Sequence, residues 1–254
     1  MERGRPRQAG RPRAARSEGK RGASRARSEA EPSGVHQGQP SEVHSDRIAA
    51  ARSRLLAGFA ELALAAQPDR IETLLRLAAL LERWGRRINL SGHREVESIV
   101  GRLILDAAAL CVHLPTVPSL VDLGSGAGFP GLPIAVLRPE CALLLVEARE
   151  KRHHFQRAAV RELKLGNVEL ECGRAERVEA RPRAAVIAQA LAEPSRALRW
   201  MTPWVEVGGW LALPGGERPP EVAAEPSLIL ERVVEYTVPC GGPKRSLWLG
   251  RRVA

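Results

Sequence analysis

The chain has 254 residues, 44% of them hydrophobic, enough for one sizeable core without help from a metal or a disulfide. Its four cysteines, Cys111, Cys141, Cys172 and Cys240, stand tens of residues apart with no CxxC pair, which excludes a disulfide framework and a cysteine zinc site and suits buried or inert thiols in a reducing compartment. No apolar run reaches the ~18 residues of a membrane span, and a formal net charge of +10 points to a polyanionic partner.

Residues 1–47 hold eleven Arg/Lys against six Asp/Glu and almost no large apolar side chain. A disordered basic tail is therefore predicted over 1–45; it either binds RNA without sequence preference or is a bystander. The start of the chain lacks the apolar centre of a signal peptide, so a cytoplasmic protein is predicted. From Asp46 the pattern turns helical, with Ile48, Leu55, Phe59 and Leu62, then, past Gln67 and Pro68, Ile71, Leu74, Leu75, Ala78, Leu81 and Ile88. Asp46 and Asp69 are the predicted N-caps of these two helices. A third helix is predicted from Glu95 to Val112, and together the three form a helical cap over 46–118.

Beyond Pro118, short apolar runs alternate with helical ones. SLVDL, ALLLVEA, NVELECG, AAVIAQ, GWLALP, LILERVVEYTV and SLWLGRR read as strands. PGLPIAVLR, EKRHHFQRAAVRELKL and a stretch from Glu193 to Glu206 read as helices. Such alternation predicts a doubly wound α/β fold, with a mostly parallel sheet covered on both faces over 119–254. The last two strands have no helix between them and predict an antiparallel edge hairpin.

Between the first strand and its helix lies VDLGSGAGFPGLP. In a doubly wound sheet, ligands sit beyond the carboxyl end of the first strand. The glycines let backbone approach a ligand there, and the helix start offers free N–H groups. Two ligand classes compete. Gly126, Gly128 and Gly131 spell the GxGxxG of a nicotinamide dinucleotide site, whereas Asp122 followed by GSGAG matches the first motif of class I S-adenosylmethionine (SAM) methyltransferases. Glu147, after the second strand, suits ribose hydroxyls in both, since a carboxylate accepts two hydrogen bonds from a diol.

The wider spelling separates them. WGRRINLSGHRE, LILDA, DLGSGAGFPGLPIAVLRPE, EKRHHF with ELKLGNVEL, GRAERV and GPKRSLWLGRR, in that order over roughly residues 70 to 252, resemble the RsmG (GidB) family, methyltransferases of N7 of a guanine in the 530 loop of bacterial 16S rRNA. That resemblance implies a Rossmann-like core binding SAM through Asp122, Gly124, Gly126, Phe129, Glu147, Ala175, Glu176 and Gln189. It also implies a monomer acting on 16S rRNA or the small ribosomal subunit, with neither membrane nor metal.

N7 of guanine carries a lone pair outside the pairing edge, so its methylation needs positioning and electrostatics rather than a general base. In keeping with this, the sequence offers no Cys or His constellation for covalent or acid–base work. His153 and His154 read as a solvated helix face. Asn89 and Gln189 are the positioning candidates. Arg86, Arg87, Arg94 and Arg102 of the cap, with Lys244, Arg245, Arg251 and Arg252 of the last hairpin, are candidate phosphate contacts. Three positions depart from the family's habit: Leu103 stands where a histidine is common, Gln189 where an arginine is, and Pro214 where a lysine is. They motivate a second reading, a ribosome-associated RNA-binding protein of this fold with little catalysis. An NAD-dependent oxidoreductase is the third.

Overall fold

The computed structural model describes residues 40–254. Helix α1 (Pro40–Glu61) already begins at Pro40, so Asp46 lies within it and is not its cap. The predicted tail over 1–45 falls largely outside the described residues. Helix α2 (Pro68–Gly85) starts with Pro68 in its first turn and Gln67 at the cap position. Proline brings a helical φ and no N–H to satisfy, so the start falls there and Asp69 becomes a first-turn acid.

The third predicted helix is realised in three pieces, α3 (Val96–Ile99), a π-helical turn (Val100–Ile104) and α4 (Leu105–His113). The π turn inserts an extra residue and re-aims the side chains that follow. The start of α3 is tied back to α2 by Glu82, a buried carboxylate that accepts the Val96 N–H at 3.2 Å, Arg47 Nη2 at 2.7 Å and Arg86 Nη2 at 3.4 Å.

The remaining elements are β1 (Ser119–Leu123), α5 (Gly131–Leu137), β2 (Ala142–Glu147), α6 (Glu150–Leu163), β3 (Val168–Cys172), β4 (Arg183–Ala188), α7 (Pro194–Met201), β5 (Val205–Gly215), β6 (Leu228–Thr237) and β7 (Lys244–Arg252). The sheet runs β3-β2-β1-β4-β5-β7-β6, with parallel pairing from β3 through β5 and antiparallel pairing of β7 with both neighbours. The predicted mostly parallel α/β sheet with an antiparallel closing pair is thus present. The last strand, however, lies inside the pair and β6 forms the edge. The helix predicted to reach Glu206 stops at Met201, because Thr202–Trp204 forms a 3-10 turn around Pro203 and β5 begins at Val205. Pro214 sits in β5 opposite Leu247 of β7, past Ala212, where pairing with β4 ends. On the β4 side its missing N–H therefore breaks no ladder bond.

Strand alternation divides the buried side chains between two faces. Leu120, Leu143, Leu145 and Ile187 join α1 through α6 in one continuous cluster, whereas Val121, Leu144, Val146 and Val186 meet α7 and Trp204 on the other face. The cap therefore shares its core with the sheet. The four cysteines are unpaired; Cys111 and Cys141 are buried, Cys240 is half-buried and Cys172 is exposed. No helix among the described residues is long and apolar enough to cross a membrane.

Candidate active site

Strand order reverses at β1, between β2 and β4, and the crevice of interest lies beyond the carboxyl ends of these strands. The glycine loop begins there. Gly124 has φ +70°, a backbone conformation that calls for glycine, and a Cβ on it would displace the tip of Leu191, 2.6 Å away at Cδ1. The N–H groups of Gly124 and Ser125 donate to the Val146 carbonyl at 2.9 and 3.1 Å, which fastens the loop to the end of β2.

Glu147, the last residue of β2, is buried, and its carboxylate is already organised. Oε2 accepts the Gly126 N–H at 2.8 Å and Oε1 accepts the Arg149 N–H at 2.7 Å, with Arg152 Nη1 4.0 Å away. Each oxygen keeps lone-pair capacity for a ligand hydroxyl. Gln156 of α6, fully buried, donates from Nε2 to Ser125 Oγ and to the Gly126 carbonyl, both at 2.8 Å. The loop is thus held from two elements.

Asp122 is placed differently from the cofactor contact expected of it. Its carboxylate is buried under the loop and accepts the Gly131 N–H of α5 at 2.9 Å. Burial, with the Glu147 charge adding, pushes its pKa up to about 7. It shapes the loop from beneath and does not line the crevice.

The crevice is a cleft of about 280 Å³. Gly124, Glu147, Ala175 and Glu176, four of the predicted cofactor residues, line it together, joined by Arg152, Leu191 and Trp200. The Ala175 carbonyl is already taken by Trp204 Nε1 at 3.2 Å, which leaves its N–H to meet a ligand. Trp200, half-buried on α7, was not anticipated. Its only sequence signal is its place beside the apolar stripe Ala197, Leu198 and Met201 of that helix.

Phe129 and Gln189 stand elsewhere. They line a second, smaller slot of about 40 Å³ with Arg102, Leu103, Asp106 and Pro130. The slot and the cleft share their dividing wall, which is the loop from Gly124 to Pro130 on one side and Gln189, Ala190 and Leu191 on the other. A larger groove of about 620 Å³ lies among Asp69, Thr73, Pro139 and Asn167 at the opposite end of the strands, away from the crevice of this fold.

The cations sort into free and committed. Arg245 is committed: its guanidinium donates to Asp106 Oδ2 at 3.0 and 3.1 Å, which clamps β7 to α4 and corrects its reading as a phosphate contact. Arg252 donates from Nη1 to the Thr202 and Val205 carbonyls, and Arg251 lies over the Trp210 ring at 4.6 Å. Arg86 reaches Glu82. Arg87, Arg94, Arg102, Lys244 and Asn89 are exposed. Among the described residues no cluster suited to a metal ion occurs.

The sheet, parallel from β3 to β5 and closed by an antiparallel β7, with the glycine loop after its first strand, is that of a class I methyltransferase. A profile described as rRNA small subunit methyltransferase G matches residues 70–248. A ribosomal RNA small subunit methyltransferase G from Chromohalobacter salexigens is 37% identical over 207 residues, covering 80% of this chain and 98% of that protein. Its counterpart from Neisseria meningitidis is 33% identical over 190 residues, covering 74% and 92%. The chain belongs to this family. For the fold, a solved structure from Klebsiella pneumoniae described as a candidate O-methyltransferase aligns with TM-score 0.50 at 18% identity, covering 75% of this chain and 92% of that one. The cofactor is SAM, and the cleft suits such a molecule in offering both a buried carboxylate, Glu147, and an apolar wall of Leu191 and Trp200. The dinucleotide reading of GxGxxG is set aside.

Proposed function

We propose that the protein methylates N7 of a guanine in the 530 loop of 16S rRNA, within the small ribosomal subunit. One observation carries the choice of a ring nitrogen. Among the described residues, the one carboxylate in the slot, Asp106, is held by the two-pronged grip of Arg245, and no free general base faces the acceptor side. A hydroxyl or an amine acceptor would need its proton taken; N7 does not.

When bound, SAM supplies a methyl group on a sulfonium, and the N7 lone pair forms the new N–C bond as the C–S pair passes to sulfur, leaving the charge on the base. Glu147, Glu176 and Trp200 hold the cofactor; Phe129 and Gln189 flank the acceptor side of the wall. Arg87, Arg94 and Lys244 supply exposed charge for RNA phosphates, and the protein works as a cytoplasmic monomer. Leu103 and Gln189 both fall on the slot, which keeps the weakly catalytic RNA-binding reading in view. Chemical cleavage at 7-methylguanine in small-subunit rRNA, compared between a strain with the gene and one without it, tests the proposal. Loss of one such site in the deletion supports it; an identical pattern refutes it.

A further inference from the structure

The slot beside the cofactor cleft has one charged side chain that is not already answered. Arg102 leaves the π-helical turn exposed at the slot and, among the described residues, has neither ion pair nor hydrogen bond. Asp106, the carboxylate of the same slot lining, is the natural partner for it. That carboxylate is instead gripped by Arg245 from β7, 139 residues away in sequence, with contacts at 3.0 and 3.1 Å. The rest of the slot, including Leu103, Phe129, Pro130 and Gln189, is neutral. Its net charge is therefore the single positive charge of Arg102.

We propose that this slot receives the acceptor nucleotide and that Arg102 is its positioning residue, gripping the nucleotide's phosphate. The inference rests on the reading of the protein as an RNA methyltransferase. At about 40 Å³ the slot is far smaller than a purine, so the nucleotide presents an edge to the dividing wall and keeps its sugar and phosphate outside. The N7 edge of guanine is such an edge. A guanidinium suits the phosphate outside, where its fork meets two oxygens. It does not suit the base, which gains positive charge as it is methylated and is served better by the neutral amide of Gln189. The Arg245–Asp106 pair then has a second consequence: by cancelling the carboxylate it removes a charge that would repel that phosphate.

The test uses the full chain loaded with S-adenosylhomocysteine and two probes, guanosine 5′-monophosphate and guanosine, observed by saturation-transfer NMR. Wild type should favour the monophosphate, and Arg102→Ala should bring it down to the guanosine level with cofactor affinity unchanged; Arg102→Lys should recover part of the preference. Leu103→Trp, which fills the slot from its lining, should remove both signals. In single turnover at saturating small-subunit rRNA, Arg102→Ala should be slower by about tenfold. A residue that contributes only general phosphate attraction would weaken RNA binding and leave that rate intact. No preference for the monophosphate in wild type, or a preference that survives Arg102→Ala, overturns the slot. If wild type methylates no rRNA while the Arg102-dependent preference persists, the slot stands and the assigned reaction falls.

Discussion

Glu147 and Gly126 are joined by a hydrogen bond of 2.8 Å from the glycine N–H to Oε2 of the carboxylate, across a separation of 21 residues. The glycine loop and the end of β2 are therefore one assembly, and the carboxylate that lines the cleft is fixed by the loop's own backbone. Oε1 is fixed independently by the Arg149 N–H at 2.7 Å. Held in this way, the carboxylate has little rotamer freedom left to lose to a ligand that it binds.

Glu147→Ala should weaken SAM binding by about 1.5–3 kcal/mol, the range for hydrogen bonds to a charged group. Glu147→Gln should fall between, because one amide oxygen remains as acceptor while the charge is gone. Calorimetric titration with S-adenosylhomocysteine measures both. Equal affinity across the three proteins would remove the carboxylate from cofactor binding.

Trp200 lines the cleft, whereas Trp204 is fully buried with its indole N–H on the Ala175 carbonyl. Cofactor binding should therefore change the fluorescence of Trp200 and leave Trp204 silent. Trp200→Phe should abolish most of the change while keeping affinity within a few-fold. Trp200→Ala should weaken binding by about 1 kcal/mol through loss of the aromatic wall. A full fluorescence response in Trp200→Phe would place the adenine elsewhere.

The strands, the glycine loop and the carboxylate after β2 were legible because each is a local pattern: unbroken apolar runs for a doubly covered sheet, glycines where the backbone turns, an acid at a strand end. Three features were not. The π turn at Val100–Ile104 follows no composition rule, since VGRLI reads as ordinary helix. The place of β7 between β5 and β6 depends on long-range pairing that either hairpin order satisfies locally. The separation of Phe129 and Gln189 from Glu147 and Ala175 is a matter of which side of a wall each reaches, and no spacing along the chain encodes a wall.

The Arg245–Asp106 pair separates two roles that the sequence leaves merged for this arginine. As a fastener between β7 and α4, it is a half-buried ion pair with two short contacts, and Arg245→Ala strands the carboxylate. The expected cost is about 2 kcal/mol in denaturant unfolding, with Asp106→Asn relieving part of it in the double variant. The salt dependence of RNA binding should stay as in wild type in that double variant, where neither a phosphate contact has been removed nor an unpaired carboxylate left beside the slot. A shallower slope with unchanged stability would reinstate Arg245 as an RNA contact.

Asp122 yields a pH signature whose sign follows from its burial. Its carboxyl is raised from 3.8 to about 7 in the fold, mainly by desolvation and further by the Glu147 charge, against the lowering effect of the Gly131 N–H. In the unfolded chain it ionises near its ordinary value, so between about pH 4 and pH 7 the folded state holds a proton that the unfolded state has released. Where the folded state binds more protons, stability falls as pH rises. The loss contributed by this group is therefore spread over that window and is complete above about pH 7. Asp122→Asn keeps an oxygen for the Gly131 N–H and cannot ionise. Relative to wild type it should gain stability steadily from pH 4 to pH 7 and hold a constant advantage above, while its affinity for SAM stays the same because the side chain lies under the loop. Urea unfolding of both proteins at several pH values gives the difference directly, and the shared titration of every other group cancels in it. A difference that does not change with pH would mean that Asp122 ionises in the fold as readily as in water.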